Sequence, residues 1–360
     1  MIGRSTARTL PASHTPSGSP SVSVVIPCYN YARYLPDSVR SALNQPGVRV
    51  QVVVVDDAST DGSAEVARQL AAADSRIELV LHDRNLGHIK TYNDGLARAA
   101  GDYVSLLSAD DLLTPGALTR AAALFEQHPS VGLVYGPAVP FSGSPPQRLR
   151  TKARCWAVWS GEDWLADRCK TGRNVIWCPE AVMRTSVQRE IGGYREDLPR
   201  SGDFEMWLRA AAVSDVGVVV AADQALYRQH ATNMTRIVHR GEIVDLRERL
   251  RAFQAVLEDE PGTLQALDSL RASMRRALAR EALVHAARRL EGEPSDDDSV
   301  EAFVAFAFEI WPAASELRSW RTVQSLTRAN GRRSPEVVAR RIRRRVGDQA
   351  RTLRHRSMGV

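Results

Sequence analysis

Between residues 22 and 136, short β-branched runs alternate with stretches whose apolar positions recur every three or four residues. The runs "VSVVIP" (Val22–Pro27), "VQVVVV" (Val50–Val55), "IELVLH" (Ile77–His82), "YVSLL" (Tyr103–Leu107) and "VGLVYG" (Val131–Gly136) read as strands. The stretches between them read as helices, with Asp61 or Thr114 as capping residues and Pro115 at a first helical position. This succession predicts an α/β fold on a mostly parallel sheet. The loops after such strands open on one edge, so Pro27–Asn30, Asp56 with Asp57, and Ser108–Asp111 should meet in one crevice.

Residues 137–173 are less regular and carry Trp156, Trp159 and Trp164. After them, "NVIWCPEAVMRTSVQREIGGYREDLPRSGDFEMWLRAA" reads as a strand, a helix, a Gly-Gly turn, a loop and a helix starting near Asp203. Beyond Gly241 the pattern turns to Ala, Arg, Glu and Leu at helical periods, with no internal repeat. The expected organisation is a leader over residues 1–20, a first domain over 21–240 (divided at 136) and a helical region over 241–360.

Composition changes this picture in a few places. A chain of 360 residues with 44% hydrophobic content can bury a proper core, and no apolar run approaches the roughly 20 residues of a membrane span. Residues 1–20 lack the apolar stretch of a secretory signal and read as disordered, and Cys28, Cys155, Cys169 and Cys178 show no metal-like spacing. A cytoplasmic protein with reduced core thiols is therefore expected. The net charge of +6 belongs mainly to the arginine-rich tail. There Pro335, Val338, Ile342, Val346, Ala350 and Leu353 mark a basic amphipathic helix, which suits either an anionic membrane surface or packing on the rest of the chain. Nucleic-acid binding is not expected, since no aromatic interleaving accompanies the charge.

The chemistry starts from "YVSLLSADD", an apolar run that ends in Asp110 and Asp111. Adjacent carboxylates repel, and neither can stay unpaired in a dry interior. A divalent cation, Mg2+ or Mn2+, held by these oxygens would turn an acidic crevice into a diphosphate site. The other reading, that the pair caps a helix, competes with Thr114 and Pro115 for the same start. The first loop, "IPCYNYARYLP", has no glycine, which excludes a dinucleotide fingerprint, and no phosphate-loop motif occurs elsewhere.

The segments "VSVVIPCYNYARYLPDSVRSALNQ", "VVVVDDASTDGS", "NLGHIKTYNDGLARAAGDYVSLLSADD" and "GGYREDLPRSGDFEMWLR", in this order, resemble the family-2 inverting glycosyltransferases of GT-A fold. The resemblance spans Val22 to Arg236. It implies a Rossmann-like nucleotide-sugar-binding sheet flanked by helices, and a metal-dependent transfer of a sugar from a UDP- or dTDP-sugar to a hydroxyl of a glycan, a lipid-linked glycan or a metabolite. By that resemblance Pro27, Tyr29, Asn30 and Asp57 hold the donor nucleoside, and Asp56 is structural. Asp111 ligates the metal, and Asp110 faces the donor or shares the ligation. Asp203 is the general base, with Glu205 as a distant substitute. Ser108 and Gly202 stand where many members carry an acid.

Several residues keep two readings. His230 reaches the metal or diphosphate, or only packs; Arg228 binds phosphate; Lys90 contacts the diphosphate or is solvated. Trp207 reads as core, while Trp156, Trp159 and Trp177 are either core or a surface for an acceptor sugar. The long C-terminal helices make a homodimer plausible. The rival functions are a sugar-nucleotide-binding scaffold without catalysis, which Ser108 and Gly202 favour and Asp203 opposes, and a nucleotidyltransferase, whose glycine- and lysine-containing signature is missing.

Overall fold

A computed structural model of the chain describes residues 7–12, 15–231, 233, 241–259, 264, 266–292 and 298–328. Its contacts divide into two compact units. The first holds the described residues up to Trp164 together with Val175–His230, and the second holds Leu165–Asn174 and the described residues after His230. The expected basic amphipathic helix of the tail lies outside the described residues. No helix among the described residues is long and apolar enough to cross a membrane, and the four cysteines form no disulfide.

The first unit is built on the strands β1 (Arg8–Pro11), β2 (Ser21–Cys28), β3 (Arg49–Asp56), β4 (Ile77–Leu81), β5 (Tyr103–Leu106), β6 (Leu112–Leu113), β7 (Val131–Tyr135), β8 (Ala138–Phe141), β9 (Cys155–Trp159), β10 (Val182–Arg184), β11 (Asp215–Val220) and β12 (Ala225–Arg228). Nine of them form one sheet in the order β1-β9-β11-β7-β10-β5-β2-β3-β4, and β6-β12-β8 form a second. Neighbours β4, β3, β2 and β5 are parallel, as the sequence predicts. The rest of the large sheet is mixed: β10 runs antiparallel between β5 and β7, and β9 antiparallel to β11. The chain steps from β2 outward to β4 and returns as β5 on the other side of β2. That reversal is the topological switch point at which open α/β sheets bind ligands.

Two expectations are corrected here. Arg8–Pro11 is not part of a disordered leader; its backbone pairs with Cys155–Trp159 as an edge strand, a pairing no local pattern announces. Pro115 does not open the next helix. Thr114 and Pro115 form a turn through Gly116, whose φ of +73° suits glycine, and the helix is Ala117–Gln127. The helices of this unit are α1 (Leu35–Leu43), α2 (Ser63–Ala73), α3 (His88–Leu96), α4 (Ala117–Gln127), α5 (Gly161–Thr171), α6 (Thr185–Ile191) and α7 (Gly202–Val213), with the C-terminal part of α5 belonging to the second unit. Helix α3 approaches β2 closely because residue 95 is glycine: a Cβ there would lie 2.3 Å from the Val25 side chain.

The small sheet is tied to α4 by a buried arginine. The Arg120 guanidinium donates to Gln224 Oε1 at 2.6 Å, to Thr114 Oγ1 and the Asp223 carbonyl at 2.9 Å, and to the carbonyls of Pro115 and Thr151. Burial depresses its pKa to about 10. The bonds fix β12 against β6 and so position the residues that follow β12.

The second unit is helical, as expected, with α8 (Glu242–Gln254), α9 (Leu267–Leu290), α10 (Val300–Ile310) and α11 (Arg318–Arg328). Helix α10 buries Phe303, Phe306, Ala307 and Ile310, one face at helical spacing. Buried Arg249 pairs with Asp245 at 2.7 Å and Glu281 at 3.2 Å and donates to the Gly172 carbonyl. This grip, with Arg173 on Glu281, ties the end of α5 to the helical unit.

Replacing Arg120 by Met removes these bonds and leaves buried acceptors without donors. We expect a loss of about 3 kcal/mol in urea unfolding; a loss below about 1 kcal/mol would show that water satisfies those acceptors equally well.

Candidate active site

The carboxyl ends of β2, β3, β4 and β5 lie on one edge, and the loops they release are bonded to one another. Asn30 has a φ of +59°, a conformation Asn tolerates, and its amide oxygen accepts from the Thr60 N–H at 2.7 Å. The Asn30 N–H donates to Ser59 Oγ, the Tyr31 N–H to Ser63 Oγ and the Ala32 N–H to Asp61 Oδ2. The first loop is thus clamped to the second, with Pro27 half-buried at the strand end and the Tyr29 side chain exposed.

The paired aspartates after β3 divide their work. Asp57 is buried, and its carboxylate accepts from the Leu86 N–H at 2.7 Å and the Gly87 N–H at 2.9 Å and pairs with His82 Nδ1 at 2.9 Å. One lone-pair direction of Oδ2 is left. Asp56 accepts from the Ser59 N–H through Oδ1, while its Oδ2 is buried and without a partner. Asp57, assigned to the nucleoside by resemblance, is therefore also the brace of the 82–87 loop.

Asp110 and Asp111 follow β5 and are both buried. Asp110 Oδ2 lies 2.9 Å from His230 Nε2, and Asp111 Oδ1 accepts from the Arg228 N–H at 2.8 Å. Burial, and then the Asp110 charge, push Asp111 well above the usual carboxylate range. His230 stacks on Tyr34, with ring centroids 5.2 Å apart, and meets Tyr31 edge-on. Arg228, read from the sequence as a phosphate ligand, is instead enclosed. Its guanidinium lies 4.6 Å over both the Tyr34 and Phe141 rings and donates to the carbonyls of Asp110 and Gly143. Lys90 is exposed and pairs with Asp94 at 2.9 Å. Among the described residues no three acidic, histidine or cysteine side chains are gathered as a ready metal cage.

Asp203 sits in the first turn of α7, after the capping position Ser201, and is only partly covered. The Tyr194 hydroxyl donates to its Oδ1 at 2.9 Å. Burial pushes the Asp203 carboxyl up, against the hydrogen bonds from Tyr194 and Cys178. Tyr194 is itself set by Asn93 on α3: Asn93 Nδ2 donates to the Tyr194 carbonyl, and the Tyr194 N–H to Asn93 Oδ1 at 2.7 Å. Glu205, the substitute base, has no free oxygen; it is fully buried and held by Arg209 Nε at 2.6 Å and Nη2 at 2.8 Å. Trp207 and Trp156 are core residues, and Trp177 is exposed.

The reading from sequence misses Glu180. It is 1% exposed, its Oε1 accepts from the Trp177 N–H at 2.6 Å, and its Oε2 is buried without a partner. Burial pushes its pKa up to about 8. Next to it Cys178 has a φ of +74°, and burial, with the charges of Asp203, Glu180 and Asp111, raises its thiol pKa well above the usual range. The available signal is a lone acid inside the apolar run Val175–Met183.

This arrangement agrees with what the chain is similar to. The profile of Glycosyl transferase family 2 matches residues 23–191. An uncharacterised protein of Mycobacterium tuberculosis is 30% identical over 266 residues, 70% of this chain and 81% of the relative. Two solved structures share the fold. Residues 1–349 of TarS from S. aureus, in complex with UDP-GlcNAc, superpose with a TM-score of 0.57 at 17% identity, covering 84% of this chain and 91% of TarS 1–349. The mannosyltransferase PcManGT from Pyrobaculum calidifontis, in complex with GDP-Man and Mn2+, gives 0.52 at 21% identity, covering 90% and 89%.

Glu180 generates a pH prediction. A carboxyl at about 8 in the folded protein and about 4.3 unfolded keeps a proton that the unfolded chain releases, so stability falls as pH rises between those values. Glu180→Gln carries no such proton. Its melting temperature relative to wild type should therefore climb from pH 5 to pH 8, and a flat difference would mean that Glu180 is ionised throughout. With the GT-A fold, the crevice at the switch point and the matched profile together, the chain belongs to glycosyltransferase family 2.

Proposed function

We propose that this protein is an inverting, metal-dependent glycosyltransferase that moves a sugar from a nucleoside-diphosphate sugar to an acceptor hydroxyl. The observation that carries the reading is the pairing of Asp110 with His230 at 2.9 Å after β5, at the switch point of the sheet, with Asp111 anchored to the β12 end beside it. The donor set fits a hard divalent cation: a buried carboxylate and an imidazole nitrogen 2.9 Å apart, with the remaining positions left to diphosphate oxygens and water. When bound, Mg2+ or Mn2+ would neutralise the diphosphate as it leaves.

In this reading Asp110 and His230 are the principal ligands. Asp111, first in line by resemblance, spends Oδ1 on the Arg228 N–H and braces the β12 end. Pro27, Tyr29, Asn30 and Asp57 form the nucleoside pocket: the two loops are already clamped together, the exposed Tyr29 ring offers a face to the base, and Asp57 has one lone-pair direction to spare. Lys90, exposed and paired with Asp94, would have to exchange that partner to meet a diphosphate oxygen.

Asp203 takes the acceptor's proton. The Tyr194 hydroxyl and the Cys178 thiol hold the carboxylate by neutral donors, and the raised pKa makes it a better base. The proton thus moves to Asp203 as the oxygen attacks the anomeric carbon from the side opposite the diphosphate. The UDP-GlcNAc of TarS and the GDP-Man and Mn2+ of PcManGT support this donor class and leave the base of the nucleotide open. The acceptor is a glycan, a lipid-linked glycan or a metabolite.

Calorimetric titration with UDP, dTDP, GDP and CDP, each with Mn2+ and with chelator, tests the assignment. One nucleoside diphosphate should bind in a metal-dependent way, and Asp110→Ala should weaken that binding at least about tenfold. Asp203→Asn should leave it within about twofold while cutting slow donor hydrolysis by about 10² or more. Equal losses of binding and hydrolysis in Asp203→Asn would remove it from the base role.

A further inference from the structure

Five large apolar side chains are exposed among the described residues, and only two are aromatic, Tyr29 and Trp177. Trp156, Trp164 and Trp207 of the same unit are buried, so a tryptophan left 39% exposed stands out. Its mount is rigid. The Trp177 N–H is held by Glu180 Oε1, Cys178 adopts the left-handed φ of +74°, the Ala181 N–H closes a turn onto the Cys178 carbonyl at 2.9 Å, and Cys178 Sγ contacts the Leu106 carbonyl at 3.6 Å. A left-handed non-glycine residue and a buried carboxyl both carry a cost in stability, and here they fix the base of an exposed ring.

The ring also has a neighbour of matching chemistry. Tyr227 meets it edge-on, with centroids 5.3 Å apart and planes at 63°. Tyr227 immediately precedes Arg228, whose N–H donates to Asp111 Oδ1 at 2.8 Å, which puts this pair beside the paired aspartates that follow β5. On the other side, Cys178 adjoins Asp203. An indole face next to a phenol hydroxyl suits the apolar face and the rim hydroxyls of a pyranose, and a rigid ring loses little entropy on binding.

We propose that Trp177, backed by the edge of Tyr227, is the platform on which a pyranose ring of the acceptor lies, so that the acceptor is a glycoside. This rests on reading the crevice as the transfer site. A sugar stacked there would present its hydroxyl toward Asp203, and the choice among acceptors would follow which pyranose face is free of axial hydroxyls.

The test is saturation-transfer NMR on the full chain, with Mg2+ and the nucleoside diphosphate that binds it. The methyl glycosides of glucose, galactose, mannose, N-acetylglucosamine and rhamnose serve as probes. The expected result is transfer to ring protons of one pyranose face of at least one probe. Trp177→Ala should weaken that probe's binding at least tenfold and Trp177→Phe much less, with nucleotide signals unchanged in both. Nucleotide binding without any glycoside signal, an unaltered glycoside signal in Trp177→Ala, or transfer confined to the methyl aglycone overturns the platform and leaves the transferase reading standing. Absence of nucleotide binding in the wild type overturns that reading, and the platform falls with it.

Discussion

The constraint on which the site depends is the crowding of carboxyl groups into a poorly solvated place. Asp110, Asp111 and Glu180 are buried and Asp203 is partly covered; Asp111 and Glu180 each accept from a backbone N–H, Asp110 lies 2.9 Å from His230 Nε2, and Asp203 accepts from the Tyr194 hydroxyl. Two like charges some 5 Å apart repel by about 3 kcal/mol at an effective dielectric of 20, and desolvation adds to it. Burial pushes the carboxyls of Asp111, Glu180 and Asp203 upward. Such a cluster favours any ligand that brings positive charge.

The acids that matter are separated from those that do not by what already holds them. Glu205 is spent on Arg209 and Asp223 on Arg150, both ion pairs that leave a buried carboxylate satisfied. Asp57 accepts from two N–H groups and pairs with a histidine, which leaves it a single direction on Oδ2. Asp203, by contrast, has only neutral donors, a phenol and a thiol. A carboxylate supported by neutral donors stays basic; one clamped by a guanidinium does not. In the proposed reading Asp203, and not the ion-paired Glu205, is therefore the group that takes the acceptor's proton.

The parallel core was legible from the sequence because its strands are buried on both faces and read as unbroken β-branched runs, such as Val52 to Val55. The edge strand Arg8–Pro11 was not, because its pairing with Cys155–Trp159 joins segments far apart in the chain. The family's motifs brought out Asp110, Asp111, Asp203 and His230, which the fold does bring to one edge. They could not divide labour between neighbours. That Asp111 faces a backbone N–H while Asp110 faces His230 depends on the register of β12 against β6, which Arg120 fixes from another helix. Glu180 escaped notice because a lone acid in an apolar run has no spacing to match, and the enclosure of Arg228 is not announced because its two ring partners, Tyr34 and Phe141, come from segments far apart in the chain.

The two sides of the crevice are built on different principles, and the difference bears on what each can recognise. The donor side is a lattice of short loops in which side chains such as Asn30, Ser59, Ser63 and Asp61 bind main-chain groups of the neighbouring loop. Such a lattice is stiff and polar, suited to a ligand whose shape changes little from one reaction to the next. On the other side stands a single strained turn at Cys178 that carries an exposed aromatic ring. Aromatic stacking tolerates variation in the ring that is stacked, while selectivity comes from hydroxyls placed around it. On the proposed reading, a change of acceptor needs substitutions around Trp177 and Tyr227, whereas a change of nucleotide requires rebuilding the interlocked loops after β2 and β3.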